Sequence, residues 1–87
     1  MARIFNIYFA FEGMVYNAVV SVRSTPFFTE YMLNNFNEEL LELLPGNKIL
    51  SKAPGHYAFQ NVTSENSTAL MNAIIKAVAE HMHGVDA

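Results

Sequence analysis

Apolar residues recur at every second position in two stretches near the start of the chain, and Gly13-Met14 lies between them. A period of two is typical of β-strands that bury one face. Glycine suits the first central position of a two-residue type II′ turn. The sequence therefore predicts a hairpin that places Phe11 opposite Tyr16. Its inner face is wholly apolar and comprises Phe5, Ile7, Phe9, Phe11, Tyr16, Ala18, Val20 and Val22.

The outer face of this hairpin is mixed, with asparagine, glutamate and serine between apolar residues. A slip of one residue would bring the asparagines and the glutamate into the core, so the pattern specifies which face is buried. We expect the helices to leave the outer face bare, and uncovered apolar patches usually mark an interface. Its apolar residues are the candidate interface: Ile4, Tyr8, Ala10, Val15 and Val19.

Residues 24–44 admit two interpretations. One is a single long helix with Thr25 as its N-cap and Pro26 in its first turn. The other is a turn at Pro26, a third strand at 28–34 and a short helix capped by Asn35 and ended by Pro45-Gly46. The sequence leaves open whether residues 27–34 are strand or helix. We favour the split, because three asparagines within a long helix would each cost about 0.6 kcal/mol relative to alanine.

The second half of the chain predicts a strand pair and a helix. Residues 48–53 and 56–62 are joined by Pro54-Gly55, which fits a type II turn and places Leu50 opposite Phe59. Apolar residues then recur at spacings of three and four from Leu70 to Met82, with Ser64 or Ser67 as the N-cap. Gly84 is the expected residue after the helix.

These elements predict a single α+β domain over residues 1–87. Its antiparallel sheet has four to five strands, in the order βββ-α-ββ-α, or ββ-α-ββ-α if the middle segment is one helix. Two helices are expected on one face of the sheet.

Composition narrows the class of function. The net charge is −3, and the five basic residues are scattered, so we expect no nucleic-acid binding. The absence of cysteine excludes disulfides and thiol catalysis and favours the cytoplasm. The longest apolar run near the start, residues 7–11, is too short to span a bilayer, so we expect no membrane association.

Candidate chemistry is sparse. His81 and His83 lie two residues apart and would point about 200° apart on a helix, so they cannot share a metal ion. His56 and Tyr57 adjoin a turn, but the sequence places no second acid beside them. We therefore expect no catalytic, cofactor-binding or metal site and favour a binding domain over an enzyme. A catalytic role resting on His56, Tyr57 and Arg23 ranks third, after the two hypotheses below.

Two hypotheses for function follow. Only 15% of the residues are charged while 52% are hydrophobic, so the chain offers more apolar surface than a small monomer easily hides. The first hypothesis is a protein-interaction module that forms homo-oligomers or binds another protein through the candidate interface. The alternative is small-molecule binding in a pocket between the sheet and the C-terminal helix, lined by Met71 and Met82.

The alternation in the hairpin generates a stability prediction. Ile7→Ala should lower the free energy of unfolding by about 2–5 kcal/mol, because it leaves a cavity in the core. Asn17→Ala, on the outer face, should cost less than about 1 kcal/mol. Urea denaturation measures both, and equal losses would contradict the assignment of faces.

Overall fold

The computed structural model describes residues 3–53 and 55–86, with side chains up to residue 82. It confirms an α+β fold with a five-stranded antiparallel sheet, in which neighbouring strands follow chain order. The sheet is a meander, so each of its strands pairs with its neighbour in the chain. The elements are β1 (Arg3–Phe11), β2 (Met14–Ser24), β3 (Thr29–Asn34), α1 (Glu38–Leu41), β4 (Lys48–Ala53), β5 (His56–Phe59) and α2 (Thr68–Asp86).

The loop of the β1–β2 hairpin is Glu12-Gly13, so the predicted loop at Gly13-Met14 is wrong. Glu12 and Gly13 both have positive φ, 50° and 79°, as a type I′ turn requires. Phe11 therefore pairs with Met14, and Phe9 with Tyr16. The register differs from the predicted one by two residues, and an even shift leaves every side chain on its predicted face.

The long helix α2 packs against the inner face of the sheet, beside β1 and β5. Its apolar stripe is buried, and Leu70, Ile74 and Val78 are completely inaccessible to solvent. Five of the eight predicted inner-face residues of the hairpin are buried, and the other three pack against the same core. The buried five are Ile7, Phe9, Ala18, Val20 and Val22.

The split interpretation of residues 24–44 is confirmed, since β3 and a separate α1 replace the long helix. The helix cap is Asn37, where Asn35 was predicted. The side-chain oxygen of Asn37 accepts hydrogen bonds from the backbone N–H groups of Glu39 and Leu40, at 2.9 and 3.2 Å. Asn35 instead adopts a left-handed backbone conformation at φ 52°, which asparagine tolerates better than most residues.

The predicted second helix is a single turn that ends at Leu41, well before Pro45-Gly46. Its Leu40 belongs to the same core cluster as the stripe of α2. Within the described residues the sheet thus has one long helix and one short one, and α2 provides most of the helical cover.

Strands β4 and β5 form the predicted antiparallel pair, with Gly55 at φ 79° in the turn. Pro54 lies outside the described residues. Ala53 pairs with His56, but a register shift between Leu50 and Ala53 makes Leu50 pair with Ala58. The predicted pairing of Leu50 with Phe59 is therefore wrong by one residue, because of a β-bulge that sequence pattern does not reveal.

The start of α2 agrees with prediction and its end does not. The Ser67 hydroxyl accepts a hydrogen bond from the N–H of Leu70 at 3.2 Å, so Ser67 is the cap. The helix continues to Asp86, and Gly84 is therefore inside it and not the residue that follows it. The side chain of His83 lies outside the described residues. In the part of the chain that the structure describes, no helix is long and apolar enough to cross a membrane.

The type I′ turn generates a second stability prediction. Glu12→Asn should raise the free energy of unfolding by about 0.5–1 kcal/mol, because Asn-Gly is the preferred pair for two positive φ angles. Gly13→Ala should lower it by about 1 kcal/mol or more, since alanine is strained at φ 79°. Urea denaturation tests both, and a neutral effect of each would argue against the Glu12-Gly13 loop.

Candidate interaction surface

The candidate interface is exposed on the side of the hairpin that α2 leaves uncovered. We call Ile4, Tyr8, Ala10, Val15 and Val19 the outer hairpin face. Ile4, Tyr8 and Val15 are 70%, 69% and 72% exposed, and Ala10 is exposed as well. Val19 is half-buried and so still partly exposed. All five residues therefore lie where another molecule could reach them.

The observed register joins these five side chains into one continuous zigzag. Ala10 pairs directly with Val15 across the two strands. Tyr8 is the diagonal neighbour of both Val15 and Val19, and Ile4 is the diagonal neighbour of Val19. Diagonal neighbours lie about 7–8 Å apart, within reach of a tyrosine or isoleucine side chain. The patch therefore runs along the whole hairpin without a break.

Val19 is less exposed than Val15 because of where β3 ends. Val19 pairs with Asn6 on one side and with Asn34, the last residue of β3, on the other. Val15 lies beyond the end of β3, so it has a strand on one side only. Val19 is thus the least accessible of the five residues, while Ile4 and Val15 at opposite ends of the hairpin are about equally exposed.

An asparagine pair lies within the apolar zigzag. The side-chain amide of Asn17 donates to the backbone carbonyl of Ile7 at 3.0 Å and, at 3.4 Å, to the side-chain oxygen of Asn6. These bonds link β1 to β2 on the outer face. They satisfy some, but not all, of the hydrogen-bonding groups of the two asparagine side chains. Two amide groups can also exchange hydrogen bonds with a partner that covers the patch.

On the outer face of the sheet, strands β3 and β4 carry charged residues. Glu30 on β3 and Lys48 on β4 form an ion pair at 4.0 Å, which contributes little to stability because it lies near the surface. Leu50 lies on the same face beside Glu30 and is only 9% exposed. The large apolar side chains that are strongly exposed on this face of the described sheet therefore lie on the hairpin.

A separate cleft of about 460 Å³ opens at one end of the sheet, between the β2–β3 and β4–β5 turns. Arg3, Lys52 and Met82 line it, together with Tyr31 and Tyr57, whose rings meet edge to face at 5.5 Å. Met82 also belongs to the core. Met71, expected beside it in a pocket, packs within the core cluster.

Two aromatic features were not predicted from sequence. The His81 ring stacks on Phe5 with centroids 3.9 Å apart and an angle of 5° between the planes. Phe27 is 83% exposed at the tip of the β2–β3 turn. Thr25 closes this turn, since its hydroxyl accepts from the N–H of Phe28 at 3.0 Å. The sequence predicted a turn at Pro26, but not that Phe27 would be exposed at its tip.

The remaining candidates are not brought together. His56 is exposed on β5, and Tyr57 is half-buried. Among the side chains up to residue 82, no three histidine or acidic groups lie close enough to hold a metal ion. Comparisons with family models, curated proteins and solved structures give no match to this chain.

The exposure of Val15 generates a third prediction. Val15→Lys should change the free energy of unfolding by less than about 0.5 kcal/mol in dilute solution, because the new charge remains in water. Ala18→Lys should abolish the cooperative unfolding transition, since Ala18 is completely buried and the ammonium group would be unpaired. If Val15→Lys proves as damaging as Ala18→Lys in urea denaturation, the outer face is covered.

Proposed function

We propose that this domain is a protein-interaction module that self-associates through the outer hairpin face. The observation that carries the proposal is the continuous zigzag of five apolar side chains, three of them about 70% exposed. Isolated apolar residues are normal on protein surfaces, whereas contiguous exposed patches mark contact sites. Tyr8 lies at the centre of the zigzag, where aromatic residues contribute most to binding.

A second copy of the chain is the partner that the surface favours. The zigzag carries no charge, so two copies can approach without repulsion between like charges. A patch that meets itself across a two-fold axis needs only self-complementarity, and most soluble oligomers are symmetric homo-oligomers. The amides of Asn6 and Asn17 can each donate and accept, which suits a self-complementary contact.

The composition supports a protein partner in the cytoplasm. Five scattered basic residues and a net charge of −3 disfavour a nucleic-acid partner. Small secreted domains usually need disulfides, and this chain has no cysteine. Neither property points to an enzyme, so the proposed activity is binding alone.

Small-molecule binding is the second candidate, and the cleft at the end of the sheet favours it. Its volume of about 460 Å³ is within the range of ligand sites. The Tyr31–Tyr57 pair offers aromatic contact, while Arg3 and Lys52 would attract an anionic group. A ligand held there would contact Met82 of α2 and so lie between the sheet and the helix.

The mass of the protein in solution tests the leading proposal. Gel filtration with multi-angle light scattering, at tens of micromolar protein, should give more than one chain for the wild type. Val15→Lys should lower that mass, because it places a charge in an apolar contact.

Met14→Lys is the matched control for Val15→Lys. Met14 is the neighbouring residue, is 59% exposed and points to the opposite side of the hairpin. It adds the same charge and should leave the mass unchanged. A monomeric wild type, or equal effects of the two variants, would contradict self-association through the outer hairpin face.

A further inference from the structure

The first strand of the sheet has an open edge. β1 is nine residues long, lies at one end of the strand order and pairs with β2 through an unbroken register. The other edge strand, β5, has only four residues and follows a register shift in β4. β1 is therefore the edge with the greater capacity to accept another strand.

The hairpin loop determines which backbone groups face this edge. Phe11 and Met14 flank a two-residue loop, so they form a hydrogen-bonded pair, and such pairs alternate along the hairpin. Odd-numbered residues of β1 thus direct their N–H and C=O groups toward β2. Consistently, the Ile7 carbonyl points toward β2, where it accepts a hydrogen bond from the side-chain amide of Asn17 at 3.0 Å. The residues whose backbone groups point outward are Ile4, Asn6, Tyr8 and Ala10.

These four positions carry none of the protective devices that a strand's own residues can supply. Natural sheets block an edge with lysine, proline, a bulge or a very short strand. The outward positions of β1 hold isoleucine, asparagine, tyrosine and alanine, and its register has no bulge. Helix α2 lies beside this edge, but the four outward residues are exposed. A long edge of this kind is a template for pairing with another strand.

We propose that β1 pairs antiparallel with β1 of a second copy, about a two-fold axis at Ile7. This register places Ile4 opposite Ala10 and Asn6 opposite Tyr8. All four outward residues of each copy then form hydrogen-bonded pairs, and each such pair exchanges two bonds. Pairing of β1 with β5 of another copy would engage at most the four residues of β5, so the symmetric arrangement makes more bonds.

The helix beside the edge is compatible with this symmetry. A groove of about 340 Å³ separates residues 8–10 of β1 from α2, which contributes Lys76 and Glu80. These two residues are exposed and lie one helical turn apart. A two-fold axis runs the α2 helices of two copies antiparallel, which brings the lysine of each copy toward the glutamate of the other. The exposed side of α2 in one copy is thus complementary in charge to the same side of α2 in the other copy.

Edge pairing extends the proposed function, because it doubles the area of outer hairpin face that one assembly presents to another. One hairpin face spans about 300 Å² in projection, from nine residues at about 3.3 Å each and two strands about 5 Å wide. A standard interface needs about 800 Å² per partner. Pairing through β1 joins two outer hairpin faces on one side of a ten-stranded sheet. Two such pairs stacked through these faces make a tetramer. The face contact rests on the proposed function, and the edge contact stands without it.

Light scattering on edge and face variants separates the two contacts. Asn6→Pro removes an outward N–H from the edge, where proline is tolerated, and Asn6→Ala removes the same side chain but keeps the N–H. We expect four chains for the wild type, two for Val15→Lys and one for the double variant. Asn6→Pro should have a lower mass than Asn6→Ala, because only the proline removes the edge N–H. If folded Asn6→Pro keeps the wild-type mass, edge pairing is wrong. If Val15→Lys keeps it, the face contact is wrong and edge pairing is unaffected.

Hydrogen exchange of the wild type tests the edge without any substitution. In the proposed pairing the amide protons of Ile4, Asn6, Tyr8 and Ala10 are protected, and dilution should remove their protection. The odd-numbered amides bond to β2 and should stay protected at every concentration. Val15→Lys should retain the even-numbered protection, and Asn6→Pro should lose it. Free exchange of the even-numbered amides in concentrated wild type would overturn the proposal, even if Asn6→Pro did not fold.

Discussion

The packing of α2 against the inner face of the hairpin is the interaction on which the rest of the structure depends. Leu70, Ile74 and Val78 are completely buried there, and each such side chain contributes about 1.5–3 kcal/mol. The described residues contain one long helix, which lies on one face of the sheet. The opposite face and the β1 edge consequently remain available. Both proposed contacts use surface that α2 leaves uncovered, because the helix packs on the inner side.

The sequence was sufficient to predict which residues face the core but not how the strands align. Alternation determines the face of each side chain, and a register shift of two residues preserves it. The alignment depends on the turn, and Glu12 gives no sign that it adopts a positive φ. The bulge in β4 likewise depends on the neighbouring strands. The cluster of asparagines did predict the break between β3 and α1, although Asn37 and not Asn35 is the cap.

The sequence was sufficient to predict which residues form the candidate surface. It was not sufficient to predict how exposed they are or where the backbone groups of the β1 edge point. The five residues of this surface follow from alternation, whereas the half-burial of Val19 depends on where β3 ends. The direction of the edge amides depends on the loop. A loop at Gly13-Met14 would have turned the N–H groups of the even-numbered residues of β1 toward β2. The stacking of His81 on Phe5 joins opposite ends of the described chain, and no local pattern predicts such a contact.

The order of the elements also has a consequence for synthesis on the ribosome. The β1–β2 hairpin is complete by Ser24, but the helix that covers it begins only at Thr68. At about 5–20 residues per second, the inner face of a nascent hairpin stays without its helical cover for several seconds. During that time the hairpin exposes apolar side chains that the native fold buries. The apolar inner-face residues between Phe5 and Val22 are therefore the part of the core that waits longest for its native neighbours.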